Sequence, residues 1–345
     1  MNPSLHWGIL GTGRIASTFA QGVARSQTGR VVAVASRGAD KAAAFAAAHS
    51  IERAHSSYEA LLADPTVQAV YVATPHPQHV PWVVRAAKAG KHVLCEKPLG
   101  LNRAEAETAV AACRAHGVLL MEGFMYRCHP QIAKLLELVR GGAIGRVCMI
   151  EASFGFCSTY EPASRLWSNT LGGGGILDVG CYPVSFARLV AGAASGQPFL
   201  DPEQLSGAGV LHEKAGVDMC AAATLRFAND VIALVSTSIT VTQQNTARVL
   251  GTTGSLLLPN PWLSAIGGGD AKIVWQKNGG SAPEEIIVTS PPLYALEADT
   301  FARALMGGWR DVPAMPVADT LGNMATLDRW REAIGLVYDV EKRVY

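Results

Sequence analysis

Glu96-Lys97-Pro98 sets a carboxylate, an amine and a proline in succession at the end of an apolar run that begins at His92. Pro98 has no N–H for a sheet ladder and disfavours helix at Lys97, so a strand must stop here. Open α/β sheets bind ligands outside the carboxyl ends of their strands, which is where Glu96 and Lys97 then stand. A charged loop pair is ordinarily just solvated, and only the surrounding sequence argues otherwise. The second chemical stretch is Gly172-Gly173-Gly174-Gly175-Ile176-Leu177-Asp178-Val179-Gly180-Cys181-Tyr182-Pro183. Its glycines mark a place of close backbone approach. On a helix, Asp178 and Tyr182 would share one face at i and i+4. A carboxylate beside a phenol is a poor core pair unless each finds a partner. The plain alternative is a helix kinked at Pro183, with the Tyr182 hydroxyl bonded to backbone.

Positioning these groups takes a scaffold, and the first part of the chain spells one. His6–Leu10 reads as a strand running into Gly11-Thr12-Gly13-Arg14-Ile15-Ala16 and then a helical period at Ile15, Phe19, Ala20 and Val23. In that context Gly11 allows the tight turn, Gly13 admits a pyrophosphate to the backbone, and Ala16 lets helix and sheet pack closely. The helix start offers its free N–H groups to the phosphates. The next strand, Arg30–Ala35, ends in Ser36-Arg37, with Lys41 nearby. An acid there would hold an NAD ribose; a hydroxyl and two cations suit the 2′-phosphate of NADP.

Ser56-x-x-Glu59 and Asn102-x-x-Glu105 are capping boxes that open helices. Ala69–Ala73 is a buried-type strand emptying into Thr74-Pro75-His76-Pro77-Gln78-His79, and a helix from Pro81 to Ala89 follows, with Gly90 as its cap. That puts His79 at the ligand edge, beside a nicotinamide or acting as a structural cap. His76 and His79 lie in a proline-rich loop with no third ligand evident, so no metal is expected. With the His92 run and Val118–Met121, six strands alternate with helices, which spells a doubly wound parallel sheet. After Glu122 the pattern changes to one helix, Gln131–Arg140, and long β-type runs at Val147–Phe156, Val217–Phe227, Val231–Val241, Ala247–Gly251 and Ser255–Leu258. This predicts an α+β domain with a large, mostly antiparallel, open-faced sheet, so residues 1–122 and 123–345 are expected as two domains. The apolar alternation Leu225/Phe227 and Ile232/Leu234 would put one face on the core, and the other, Thr- and Ser-rich face would be solvated or pair with a second subunit. Asp319–Tyr345 reads as a long helix.

The 345 residues are 49% hydrophobic and 17% charged, with 29 Lys and Arg against 28 Asp and Glu, so no global field draws the chain to nucleic acid or membrane. Seven scattered cysteines without a C-x-x-C pair suit reduced thiols in the cytoplasm. No signal peptide and no spanning segment are expected.

Taken in order, Gly11–Ala16, Glu96-Lys97-Pro98, Met125-Tyr126-Arg127-Cys128-His129-Pro130 and Gly172–Tyr182 resemble the glucose–fructose oxidoreductase/inositol dehydrogenase family over essentially the whole chain. The resemblance is greatest to its branch of NADP-dependent D-xylose 1-dehydrogenases and dimeric dihydrodiol dehydrogenases. It implies a Rossmann domain, a catalytic pair Lys97 and Tyr182, and Thr74, Pro75, His76, His79, Glu96, Arg165 and Tyr294 near the cofactor. The inositol dehydrogenases carry His where this chain has Tyr182. The export signal and arm of glucose–fructose oxidoreductase have no counterpart here, so a permanently held cofactor is not expected.

The chemistry this implies is hydride transfer between NADP and a sugar hydroxyl, C1 of an aldopyranose such as D-xylose. Tyr182 would exchange the proton, helped by the Lys97 charge because a phenol ordinarily titrates near 10. Asp178 would accept a substrate hydroxyl, and Phe156, Trp167 and Trp262 would shape the pocket. The alternatives are a vicinal diol of aromatic type and a catalytically silent NADPH-binding sensor. A homodimer through the C-terminal sheet is expected.

Overall fold

The computed structural model describes residues 4–280 and 282–344. The chain forms two compact units, each discontinuous in sequence: Met1–His129 with Ala265–Gly269 and Pro291–Leu321, and Pro130–Ser264 with Asp270–Ser290 and Gly322–Tyr345. The first crossing lies a few residues beyond the expected boundary after 122. The returning segments are short pieces that no change of pattern along the chain announces.

In the first unit, strands β1 (Leu5–Leu10), β2 (Gly29–Ala35), β3 (Arg53–His55), β4 (Ala69–Val72), β5 (His92–Glu96) and β6 (Leu120–Gly123) form a parallel sheet in the order β3-β2-β1-β4-β5-β6. Between them run helices α1 (Arg14–Val23), α2 (Ala39–Ala48), α3 (Tyr58–Ala63), α4 (His79–Lys88) and α5 (Arg103–Ala115). The order reverses between β1 and β4, the crevice where doubly wound sheets take their ligands. Strand β4 is buried along its whole length, as a strand covered on both faces must be. Trp7, fully buried on β1, meets Phe19 of α1 edge-on at 5.4 Å and Phe301 at 5.2 Å. Phe301 belongs to a helix far along the chain that packs on α1.

The second unit opens with α6 (Pro130–Arg140) and β7 (Val147–Gly155). A π-turn (Ile176–Gly180) leads directly into α7 (Cys181–Ala193). Strands β8 (Gln204–Leu211), β9 (Asp218–Arg226), β10 (Ile232–Ser238), β11 (Thr246–Gly251), β12 (Gly254–Pro259), β13 (Gly269–Lys277) and β14 (Glu284–Ser290) follow, in sheet order β14-β13-β12-β11-β7-β10-β9-β8. The pair β7–β10 is parallel, while β7–β11, β9–β10, β8–β9, β11–β12 and β12–β13 are antiparallel. Along β9 and β10, Ala223, Leu225, Ala233 and Val235 are buried, whereas Thr224, Ile232 and Leu234 are exposed, so one sheet face is covered and the other open. Leu225 faces the core as expected, but Ile232 and Leu234 lie on the open face, because the strand turns Ala233 and Val235 inward. The covering helix is α7, buried at every residue and apolar apart from Tyr182, Ser185 and Arg188, as suits a helix inside a core. Asn169–Ala193, the one described stretch long and apolar enough to cross a membrane, is this buried core helix with its lead-in. Helices α8 (Leu293–Met306) and α9 (Val317–Ala333) complete the chain.

Several expectations change in detail. The cap of α3 is Ser57, which accepts from the Ala60 amide, and not Ser56. The helix expected to run to Tyr345 ends at Ala333, where Gly335 takes a φ of 70°; residue 345 lies outside the described residues. Strand β3 is the one of the six expected parallel strands for which no run was named, and strands β8, β13 and β14 are additional. The first is only three residues long, and β8 and β14 are sheet edges whose mostly exposed residues carry little apolar alternation.

Candidate active site

In the first unit the glycine turn has the shape a dinucleotide needs. Gly11 holds a φ of 115°, and a Cβ there would sit 2.8 Å from the Ala73 carbonyl oxygen, so only glycine brings the β1 and β4 exits this close. Gly13 is open: a Cβ would meet nothing within 4 Å. It precedes α1 with no side-chain cap and no acid in the first turn, leaving the helix N–H groups for a phosphate. Gly13 and Arg14 are exposed and Thr12 and Ile15 half-buried at this edge. At the β4 exit the Thr74 hydroxyl is buried without a hydrogen-bond partner, and Pro75 next to it is exposed. At the end of β2, Ser36 is buried, Arg37 and Lys41 are exposed, and Gly38 leaves open space before α2. The carboxylate nearest in sequence is Asp40 in the first turn of α2. These residues fit a dinucleotide carrying an extra phosphate.

The Lys97 turn is held rigidly. The Leu99 amide donates to Glu122 Oε1 at 2.9 Å. His79, first residue of α4, sets Nδ1 2.7 Å from the Pro98 carbonyl and Nε2 2.8 Å from that of Thr74. His79 thus lies between the β4 and β5 exits, with an N–H to donate to the carbonyl of one or the other according to its tautomer, and His76 is buried at 5.6 Å from its ring. The Lys97-Pro98 peptide is cis, and Lys97 is half-buried. Behind it, the Tyr71 hydroxyl donates to Glu96 Oε1, with Tyr71 stacked on Phe19 at 3.8 Å. Burial first, then Glu96, pushes the Tyr71 phenol well up, which keeps it a donor. Tyr294 and Glu297 of α8 are buried in the same cluster, Tyr294 packed on Gly22 of α1. Neither Glu297 oxygen has a partner, and burial followed by the nearby Glu96 pushes its carboxyl well above the usual range.

In the second unit the glycine stretch enters a widened π-turn. Pro183 cannot donate to the carbonyl four residues back, and the turn before it opens to five-residue spacing. Asp178 lies in that turn and Tyr182 at the start of α7, both buried. Asp178 Oδ1 accepts from the Arg165 guanidinium at 2.8 Å, so Arg165, half-exposed, partners the carboxylate here. Tyr182 sits between aromatic walls: Phe154 edge-on at 5.3 Å and Trp262 at 5.9 Å. Trp262 is locked by its indole N–H to the Ser153 carbonyl at 2.8 Å. Trp167 and Phe156 belong to an apolar cluster with Leu166, Val217 and Ile239. Among the described residues no three His, Cys, Asp or Glu come together as a metal site.

Residue types alone did not bring forward Glu122, Tyr71, Glu297, Phe154 or Asp218. Glu122 and Asp218 carry a signal all the same: each is an acid embedded in an apolar strand run, which needs a buried partner.

The comparisons agree with this geometry. Residues 5–124 match the oxidoreductase family with an NAD-binding Rossmann fold, and residues 132–257 match the GFO/IDH/MocA C-terminal domain. The chain belongs to the GFO/IDH/MocA family. It is an oxidoreductase with a nicotinamide-dinucleotide-binding domain. It is 34% identical to the trans-1,2-dihydrobenzene-1,2-diol dehydrogenase of Mus musculus, over 99% of this chain and all of that one, and 35% identical to the Homo sapiens enzyme with the same coverage. Among solved structures it resembles the 3-ketoreductase KijD10 of Actinomadura kijaniata in complex with NADP and TDP-benzene: TM-score 0.86, 28% identity, covering 96% of this chain and 98% of that. The aldose-aldose oxidoreductase of Caulobacter crescentus, complexed with glycerol, follows with TM-score 0.85, 26% identity, and 96% and 97% coverage.

Proposed function

We propose that this oxidoreductase uses NADP to oxidise one hydroxyl of a ring that carries neighbouring hydroxyls, with C1 of an aldopyranose such as D-xylose as the first substrate. The observation that carries the reading is the buried π-turn with Asp178 leading directly into α7 with Tyr182, whose ring is walled by Phe154 and Trp262. A flat aromatic wall takes the apolar face of a sugar or diol ring, and a carboxylate accepts its second hydroxyl. When bound, NADP supplies the hydride acceptor. Tyr182 takes the hydroxyl proton, and the Lys97 ammonium favours the phenolate that does so. Arg165 pairs with Asp178 and aims it. The relatives' name favours a second reading, a trans-dihydrodiol of an aromatic ring.

Ser36, Arg37 and Lys41 support NADP over NAD, because a guanidinium holds a 2′-phosphate by charge-assisted bonds worth about 1.5–3 kcal/mol, roughly 10- to 150-fold in affinity. The open face of the eight-stranded sheet, with Ile232 and Leu234 exposed, supports a homodimer through that face, and the seven free thiols support a cytoplasmic location.

The test is NADPH formation across a panel of aldoses and trans-diols, on wild type, Lys97→Ala, Tyr182→Phe and Arg37→Ala. Tyr182→Phe and Lys97→Ala should each lower kcat by roughly 10²–10⁴. Arg37→Ala should weaken NADP and leave NAD within about fivefold. Near-wild-type turnover by Tyr182→Phe from pH 6 to 10, or equal wild-type affinity for both cofactors, refutes the corresponding assignment.

A further inference from the structure

Asp218, the first residue of β9, is fully buried beneath the turn that carries Asp178. One of its oxygens, Oδ2, accepts from the Ile176 amide at 2.8 Å, the residue that begins the π-turn. The other, Oδ1, has no hydrogen-bond partner and lies against Gly174, where a Cβ would come within 2.2 Å of it. Two neutral groups hold the same loop. The Thr237 hydroxyl donates to the Gly175 carbonyl at 3.1 Å, and the Tyr338 hydroxyl donates to the Gly173 carbonyl at 2.8 Å. These three side chains grip the loop backbone, and of the three Asp218 is the carboxylate. A carboxylate beneath the exposed amides of a helix start is favoured by their aligned dipoles, and its bond is charge-assisted.

We propose that Asp218 is the positioning residue of this site: by accepting from the Ile176 amide it sets where the widened turn begins, and so where the Asp178 carboxylate and the Tyr182 hydroxyl point. The proposal rests on the reading of Tyr182 as the proton-exchanging group. Burial pushes the Asp218 carboxyl up to about 7, against its amide hydrogen bonds and the pull of Arg331. Arg331 of α9 is the charged group that acts on it, and Tyr338 lies close enough to feel its charge, together with those of Arg331, Glu341 and Asp178. Arg331 is itself held by Glu341 at 2.9 Å and Asp328 at 2.9 Å. Above pH 7 the clamp is ionised and strong, and below it the acceptor is neutral and the turn loosens. Stability runs the other way. The folded carboxyl titrates above its ordinary 3.8, so its contribution is complete below 3.8 and is lost as pH rises towards 7. The fold carries an unfavourable buried charge at the pH where the turn is best held.

Asp218→Asn keeps the shape and an acceptor oxygen but removes the charge. The assay is amide hydrogen exchange of residues 173–182 between pH 6 and 8.5, corrected for intrinsic pH dependence. Thermal melts at pH 8 and kcat and KM from pH 6 to 9 go with it. In wild type, protection at Gly175 and Ile176 should rise through pH 7; in Asp218→Asn it should stay low throughout. The variant should melt about 3 °C or more higher at pH 8, yet turn over about tenfold more slowly there, the worth of exchanging a charge-assisted acceptor for a neutral one. Its KM for NADP should be unchanged. Tyr338→Phe, which removes a neutral clamp, should lower the melting temperature at every pH and keep the rise in protection through pH 7. Wild-type protection in Asp218→Asn at pH 8 overturns the proposal. So does a lowered melting temperature with the wild-type pH profile, which is what a merely structural role would give. Exchange and melting need no substrate, so a panel without turnover refutes the proposed function and leaves this test standing.

Discussion

Gly174→Ala tests how tightly the site is built, because two separate penalties meet at that position. The residue has a φ of 99°, beyond even the left-handed helical region, where an L-residue is strained by about 1–3 kcal/mol. Its new Cβ would lie 2.2 Å from Asp218 Oδ1, 3.0 Å from Asp218 Cγ and 3.0 Å from the Asp218 amide nitrogen. Turning the carboxylate away relieves only the first contact, and it breaks the bond to Ile176; the backbone nitrogen cannot move without β9. Overpacking of this kind costs about 1–3 kcal/mol, for a total of roughly 2–6 kcal/mol. Gly142→Ala separates the two effects. Gly142 also has a positive φ, 72°, but a Cβ there meets nothing within 4 Å, so only about 1–2 kcal/mol of conformational strain is expected. Urea denaturation of both variants at pH 7.5 gives the two stabilities, and turnover is measured alongside. Gly174→Ala should lose kcat as well as stability, while Gly142→Ala keeps its kcat. Equal destabilisation of the two variants would refute the close contact between the glycine loop and Asp218.

Two further outcomes concern the first unit. Burial raises the Asp64 carboxyl, but the Thr66 hydroxyl and amide, His55 and Arg53 together bring it down to about 2 from 3.8, a shift worth about 2 kcal/mol. That stability is present above pH 3.8 and lost as pH falls through 2, so Asp64→Asn should be about 2 kcal/mol less stable at pH 7, with the gap closing by pH 2; urea melts showing a constant gap would disprove it. Glu297 is raised by burial and by Glu96, so the folded state keeps a proton that the unfolded chain releases above about 4.5, and stability falls by about 1.4 kcal/mol per pH unit over that window. Glu297→Gln should therefore match wild type near pH 4 and gain on it steadily at higher pH; parallel stability curves from pH 5 to 8 would show that the carboxyl is ionised in the fold.

Local chemistry was enough to read the dinucleotide half. Gly11, Gly13 and Ala16 act within one strand-turn-helix unit, and Ser36-Arg37 ends the next strand, so neighbouring residues alone specify turn, phosphate site and charge. The end of β5 at Glu96-Lys97-Pro98 is equally local, since proline stops a ladder wherever it stands. The pairing of Asp178 with Tyr182 was legible as a helical spacing, though the widening of the turn to a π-turn was not. Tertiary structure decided the rest, because a buried polar group is satisfied by whatever the fold brings beside it. Glu122 finds the Leu99 amide, His79 finds the carbonyls of Thr74 and Pro98, and Asp218 finds the Ile176 amide, across separations of 23, 5, 19 and 42 residues. The chain shows where an acid interrupts an apolar strand; only the packing of other strands and turns around it determines which amide it holds and how strongly its proton is kept.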